Sequence, residues 1–372
     1  MPDLHLHIIA FDIPYPANYG GVIDVFYKAR ELSEKGVKVH LHSFQYGRKP
    51  SAVMKKLFHE VHYYKRDISK RQLIKSQPYI VSSRISEALV QNLLKDNYPI
   101  LMEGLHTCAL LEDPRLDGRK RIVRTHNIEH EYYQNLAKVE TDIFRKYYFY
   151  NEASKLKRYE KILKKADLIL AISKHDATYF SKRYNNVEFV PAFHPFKIVT
   201  CKPGKGDYVL YHGNLSVAEN ANAARFLLNE VFDNLNVPLK VAGLSPSSML
   251  INQFANRKNI ELIPNPDNKT LHDLIENAHI NIAVTAQRTG LKLKLLNTLY
   301  NGRFCLVNDK MLSGSELDDL CIIANNKESI KRKIKTLFKE EFLPENVEER
   351  IGKLGALYNN GNNVEHLIEL VG

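Results

Sequence analysis

Short apolar runs alternate with longer amphipathic stretches along the whole chain. Leu4 to Phe11 is an apolar run of strand length, and it gives way to a turn-rich loop, Pro14-Tyr15-Pro16-Ala17-Asn18-Tyr19-Gly20-Gly21. Val22, Ile23, Val25, Phe26, Ala29 and Leu32 then recur at three- and four-residue spacing, the period of a helix with one buried face, until Gly36 stops it. Val37 to Phe44 reads as a second strand. Strand, glycine loop, helix and strand predict a βαβ unit, which strongly prefers parallel pairing and a right-handed crossover. Buried strands are expected again at Ile100–Glu103, Ile122–Thr125, Leu168–Ser173 and Val187–Pro191.

Between Ala192 and Gly206 the rhythm lapses into Phe193-His194-Pro195-Phe196 and Cys201-Lys202-Pro203-Gly204-Lys205-Gly206, the chemistry of a linker. It then restarts. Strands are predicted at Tyr208–His212, Leu239–Ala242, Ile260–Pro264, Ile280–Thr285 and Phe304–Val307, and helices at Asn220–Phe232, Leu271–Asn277 and Lys292–Tyr300. From Lys327 the chain reads as helices, among them Glu345–Tyr358 and Val364–Val371. The expected fold is α/β, with two Rossmann-like doubly wound parallel-sheet domains facing across a cleft. The boundaries are 1–195 for an N-terminal domain, 196–345 for a C-terminal domain, and 346–372 for helices packing back toward the first. In open sheets of this kind ligands bind outside the carboxyl ends of the strands.

A chain of 372 residues is long enough for two cores. Cys108, Cys201, Cys305 and Cys321 are scattered without CxxC or other ligand spacing, which argues against both a disulfide framework and a zinc site. The N-terminus lacks the pattern of a secretory signal and no apolar stretch approaches membrane-spanning length, so a cytoplasmic protein is expected. A net charge of +11 and a pI near 9.2 imply an anionic partner: a nucleotide diphosphate, an anionic lipid surface or nucleic acid.

Four motifs carry candidate chemistry. Tyr19, Gly20 and Gly21 open a helix, where bare backbone amides suit a phosphate or sugar, although a tight structural turn would look the same. His126, Glu129 and His130 spell the H-x-x-E-H of an inverted zinc peptidase, but His126 sits at a strand end and a peptidase needs one helix through both histidines, so His126 is read as a residue near substrate or a helix cap. His5 and His7, with His40 and His42, alternate along two strands, so a metal cluster is conceivable, but solvated or helix-covered histidines are expected and no metal ligand is assigned. Arg288 to Val307 combines a glycine after a strand, a helix opening on lysines, a glycine stop and a buried strand, an arrangement that aims amides and a cation at a diphosphate.

That last segment resembles the signature region of family 4 glycosyltransferases of the GT-B type. Arg124 to Tyr133 resembles the family's THN-x-E-x-x-Y stretch, Pro14 to Gly21 its glycine loop, Ile172-Ser173 its strand end, and Tyr211-His212-Gly213-Asn214-Leu215 with Asn220 the opening of its C-terminal domain. The resemblance implies metal-independent transfer, with retention, from a nucleotide diphosphate sugar to a glycan or lipid-linked acceptor in surface polysaccharide assembly, with no cofactor. It assigns catalytic roles to His126 and Lys292, and donor binding to Gly213, Asn214, Arg288, Thr289, Gly290, Leu291, Lys294 and Asn297. Tyr19, Gly20 and Gly21 fall on the acceptor side.

Two departures stand out. Thr289 and Asn297 occupy the positions of two family glutamates, and Asn214 and Glu219 stand nearest to a missing basic pair. A degenerate binding or scaffold protein and a nucleotide-sugar epimerase of the same fold are the alternatives. The stretch 144–165 interleaves Arg145, Lys146, Lys155, Lys157, Arg158, Lys161, Lys164 and Lys165 with aromatics. Read as an amphipathic helix with aromatics on one side and cations on the other, it suits the anionic inner face of a membrane; a solvated helix with an aromatic core face is the plain alternative, and nucleic acid is not expected.

Overall fold

The computed structural model describes residues 4–255, 257–290 and 292–372. They form two compact units. Unit 1 comprises the described residues up to Pro195, together with Thr289, Gly290 and Tyr358–Gly372; unit 2 comprises the described parts of Phe196–Arg288 and Lys292–Leu357.

Unit 1 is built on a seven-stranded sheet of β1 (His5–Ala10), β2 (Lys38–Gln45), β3 (Glu60–Lys65), β4 (Ile100–Glu103), β5 (Arg121–Thr125), β6 (Leu168–Ala171) and β7 (Val187–Phe189). Their order is β3-β2-β1-β4-β5-β6-β7 and all the pairings are parallel. Unit 2 holds β8 (Val209–Asn214), β9 (Leu239–Leu244), β10 (Ile260–Pro264), β11 (Ile280–Ala283), β12 (Phe304–Val307) and β13 (Ile322–Ile323), ordered β10-β9-β8-β11-β12-β13 and again parallel throughout. These are two Rossmann-like sheets. The central runs Ile100–Glu103 and Phe304–Val307 are buried from end to end, because helices cover both faces of a parallel sheet.

The helix predicted from Val22 begins at Gly20 and runs to Glu34, burying Val22, Val25, Phe26, Ala29 and Leu32. The expected Asn220–Phe232 helix runs as Ala218–Phe226 and continues as a π-helical turn over Leu227–Val231. The C-terminal tail divides after Leu357. The helix Pro344–Leu357 stays with unit 2, where buried Arg350 donates to the Leu299 carbonyl at 3.1 Å and also to those of Gly302 and Arg303. The helix Asn360–Val371 belongs to unit 1, burying Val364, Leu367 and Val371 in its core. Among the described residues no helix is long and apolar enough to cross a membrane.

Candidate functional site

In unit 1 the loop after β1 is tied down beside the start of the first helix. Asp12 accepts from the Ile13 amide at 2.8 Å and from the Tyr19 hydroxyl at 2.8 Å. Arg48 donates to the carbonyls of Ile13 (3.0 Å) and Pro16 (2.7 Å) and to Asn18, and its guanidinium lies 4.9 Å over the Tyr19 ring. Tyr19 is thus a structural member of the loop. A Cβ on Gly20 would meet nothing within 4 Å, whereas one on Gly21 would come within 2.6 Å of the Phe11 ring. Gly20 is open at the helix start and Gly21 is needed for packing. Tyr19 makes no side-chain cap to this helix, whose first amides suit an anion.

Beside the loop runs a line of buried charges that sequence reasoning missed. The side chains of Asp24, Lys28, Glu103 and Arg124 are all fully buried. Arg124 pairs with Asp24 at 3.0 Å, Lys28 bridges Asp24 at 3.0 Å and Glu103 at 2.7 Å, and Glu103 meets Nε2 of His126 at 2.8 Å. Burial alone would raise the pKa of both carboxyls; Arg124 and Lys28 reverse this for Asp24, and Lys28 and His126 do so for Glu103, holding both below the ordinary range. The ionised Glu103 accepts only, so Nε2 of His126 donates, and in the neutral imidazole Nδ1 is left as an acceptor. Asp24, Glu103 and His126 offer three ligand atoms within 4.8 Å, but the Lys28 ammonium already serves as the cation there. The visible signal was a charged i,i+4 pair, Asp24 and Lys28, inside an apolar helix.

The apparent peptidase motif comes apart: His126 serves Glu103, while His130 pairs with Glu160 at 3.2 Å. Glu129 is buried, and burial pushes its carboxyl up to about 7 against a hydrogen bond from Asn127. Thr289 and Gly290, expected at the donor, group with unit 1. The Thr289 hydroxyl accepts from the Ile128 amide at 2.6 Å and meets Asp176 at 3.2 Å, and the Gly290 amide donates to Asp176 at 3.0 Å. Gly290 has φ +69, and a Cβ there would fall 2.4 Å from Asn127 Oδ1 and 2.7 Å from the His126 carbonyl. Leu291 lies outside the described residues.

In unit 2 the candidate cations gather at the helix after β11. Lys292 is the residue before this helix, in extended conformation, and the helix runs Leu293–Asn301 without a side-chain cap. Lysines two apart within one helix would face different ways, but Lys292 precedes the helix that holds Lys294. The Lys294 amine lies 4.7 Å over the Tyr211 ring and 3.3 Å from Asn220 Oδ1. Burial and the charge of Lys292 lower its pKa to about 8, against Glu219, which raises it. Glu219 accepts from the Thr285 hydroxyl and, at 2.7 Å, from the Ala286 amide, so it fixes the turn leaving β11.

Asn220 donates to the Asn214 carbonyl at 2.9 Å, and its side chain would lie 3.2 Å from a Cβ on Gly213. Asn214 Oδ1 accepts from Ser216 at 2.7 Å. Asn297 Oδ1 accepts from Asn301 at 2.8 Å, and Arg288 is exposed. Next to Lys294, the buried Nε2 of His212 has no hydrogen-bond partner among the described residues, and burial followed by the Lys294 charge pushes that imidazole down to about 3. The unit 2 candidates brought together are therefore Gly213, Asn214, Lys292 and Lys294, with His212, Glu219 and Asn220 added by the structure.

The basic aromatic stretch forms the helix Ile143–Tyr159 followed by a tighter turn over Glu160–Lys165. Its sides are not sorted as the amphipathic reading expects. Lys155 turns inward, pairing with Glu152 at 2.9 Å and donating to the Leu73 carbonyl at 2.9 Å, while Phe149 packs edge-on to Tyr133. Ile143, Phe144, Tyr147 and Tyr150 stay exposed beside Arg145.

No protein-family model matches the chain. It is 27% identical over 320 residues, 80% of this chain and 81% of the other, to an uncharacterised 44.6 kDa protein in the cps region of Klebsiella pneumoniae. Among solved structures it is similar to a sucrose-phosphate synthase from Thermosynechococcus elongatus (TM-score 0.71, 12% identity, 99% of this chain and 98% of that one). It is also similar to TarM (TM-score 0.72, 10% identity, 99% of each chain). A third likeness is to a trehalose-6-phosphate synthase studied for glycosyl transfer with retention (TM-score 0.65, 11% identity, 98% of each). At these identities the likeness establishes the fold, which is that of the GT-B glycosyltransferases.

Proposed function

We propose that this chain, with its two Rossmann-like units and GT-B fold, is a glycosyltransferase that moves a sugar from a nucleotide diphosphate sugar to a glycan or lipid-linked acceptor in surface polysaccharide assembly. The observation that carries the reading is the uncapped start of the helix Leu293–Asn301 with Lys292 and Lys294 beside it. When the bond from the sugar to the diphosphate breaks, the electron pair leaves with the diphosphate. Two ammonium groups and a helix N-terminus stabilise that charge without a metal ion. His126, held by Glu103, would use Nδ1 to accept a hydrogen bond from a sugar or acceptor hydroxyl. Retention is proposed on the likeness to the trehalose-6-phosphate synthase, and a polysaccharide setting on the relative from a cps region. The acceptor would be met at the inner face of a membrane, with the exposed Ile143, Phe144, Tyr147 and Tyr150 entering the lipid interface and Arg145 near anionic headgroups.

Thermal shift and nucleotide-release assays with UDP, GDP, ADP and dTDP sugars test the reading. One donor family is expected to stabilise the chain and to release its nucleotide when acceptor is added; stabilisation by none of them would reject donor binding. A second reading, a binding protein without turnover, is favoured by the use of Thr289 and Asn297 in internal hydrogen bonds, where the family resemblance puts glutamates. It predicts binding with no release of nucleotide under any acceptor.

A further inference from the structure

The histidines of β1 and β2 are joined by two residues from the start of β3. Parallel pairing sets His7 level with His40 and His40 level with Glu60, while period-two alternation keeps His5, His7, His40 and His42 on one face. His59 immediately precedes β3, with its ring 5.5 Å from that of His5 and 5.0 Å from that of His40. Nδ1 of His5 faces Nε2 of His40 at 2.8 Å. One nitrogen from each of the three rings lies within 4.8 Å of the other two.

The surroundings orient His40 as a ligand. Glu60 lies 3.2 Å from Nδ1 of His40; a carboxylate only accepts, so Nδ1 carries the proton and the Nε2 lone pair points at His5. A carboxylate behind a histidine in this way is the usual outer support of a metal-binding imidazole. His5 is stacked on Tyr98 with centroids 4.2 Å apart. Exposure increases from buried His40 through His5 to exposed His59, which leaves a path from solvent. The inner pair does not compete, since Asp96 holds Nε2 of His7 at 2.9 Å and the Tyr64 hydroxyl holds Nδ1 of His42 at 2.8 Å.

We propose that His5, His40 and His59 form a Zn2+ site, with water as fourth ligand and Glu60 orienting His40. Three imidazoles suit a borderline ion such as zinc and disfavour magnesium or calcium, which take oxygen ligands. Tetrahedral zinc with Zn–N bonds of about 2.0–2.1 Å needs ligand nitrogens about 3.3 Å apart. His5 and His40 stand 2.8 Å apart, close to that value, and all three nitrogens lie within 4.8 Å of one another. The site lies at the amino ends of β1 and β2, the opposite end of β1 from the Phe11–Gly21 loop. Its role is a clamp on β3, the edge strand of the sheet.

The test is Zn2+ titration of tag-free, chelator-stripped full-length protein, with Co2+ absorption to report tetrahedral nitrogen coordination. One saturable ion per chain is expected, with a rise in thermal midpoint. His59→Ala, at an exposed position, should abolish both effects while the metal-free variant melts like the wild type. Glu60→Gln should weaken binding by about 10–100-fold. Absence of saturable binding, or equal binding by wild type and His59→Ala, would overturn the proposal.

Discussion

Lys294 is the residue at which pH and donor binding should meet. Its ammonium persists only up to about pH 8, so affinity for the nucleotide is expected to fall as pH rises through that value. Lys294→Arg should carry binding to higher pH, and Lys294→Ala should weaken it at pH 7 by about 10–100-fold, the loss of one charge-assisted hydrogen bond. Calorimetry across pH 7 to 9.5 measures both, and a flat profile would count against a role for Lys294. Glu129 makes a stability prediction with the opposite origin. Its folded pKa, about 7, exceeds the ordinary 4.5, so the native state holds the proton more tightly. The resulting stabilisation is full below 4.5 and disappears as pH rises through 7. Glu129→Gln should therefore raise the thermal midpoint above pH 7, by about 3 kcal/mol in stability, and gain nothing at pH 4. Asp24→Asn would leave Arg124 and Lys28 without their shared anion at a cost of about 3–5 kcal/mol in urea denaturation. Glu34→Gln, in a surface pair with Arg30, should cost under about 1 kcal/mol.

At the scale of elements, two segments depend on placement more than on composition. The turn at Gly290 packs a positive-φ backbone against His126 and Asn127 with no room for a methyl group. Gly290→Ala should shift the turn, break the Asp176 contact and lower the thermal midpoint, and it should also lower turnover by about 100-fold in a nucleotide-release assay run below that midpoint. The helix Ile143–Tyr159 exposes its apolar residues at spacings of four and three, so Ile143, Tyr147 and Tyr150 lie along one stripe. Phe144→Ser with Tyr147→Ser should reduce co-sedimentation with anionic vesicles and leave soluble-acceptor activity intact; equal binding by both proteins would remove the membrane from the reading.

At the scale of the whole molecule, the last helix returns to the unit in which the chain began. Val364, Leu367 and Val371 bury roughly 5–9 kcal/mol of apolar side chain there, so a chain ending at Leu357 should lose the thermal transition of unit 1 before that of unit 2. The two-sheet architecture was legible from the sequence, because strands buried on both faces must be short apolar runs: Ile100–Glu103 and Phe304–Val307 begin and end where the pattern put them. β3 escaped because an edge strand needs no apolar run, and Glu60–Lys65 is half-exposed with a single buried residue. The candidate loops were legible for the same reason as the strands, since Gly20, His126 and Lys292 follow apolar runs or open helices. The ionic line Arg124–Asp24–Lys28–Glu103–His126 was not, since Arg124 and Asp24 are 100 positions apart and local periodicity holds no trace of which strand lies beside which. Sequence alone determined most of the sheet strands and the turns that follow them, because local hydrophobic burial sets both. Only the tertiary structure decided which charges face one another, because sheet order and helix crossover set those distances.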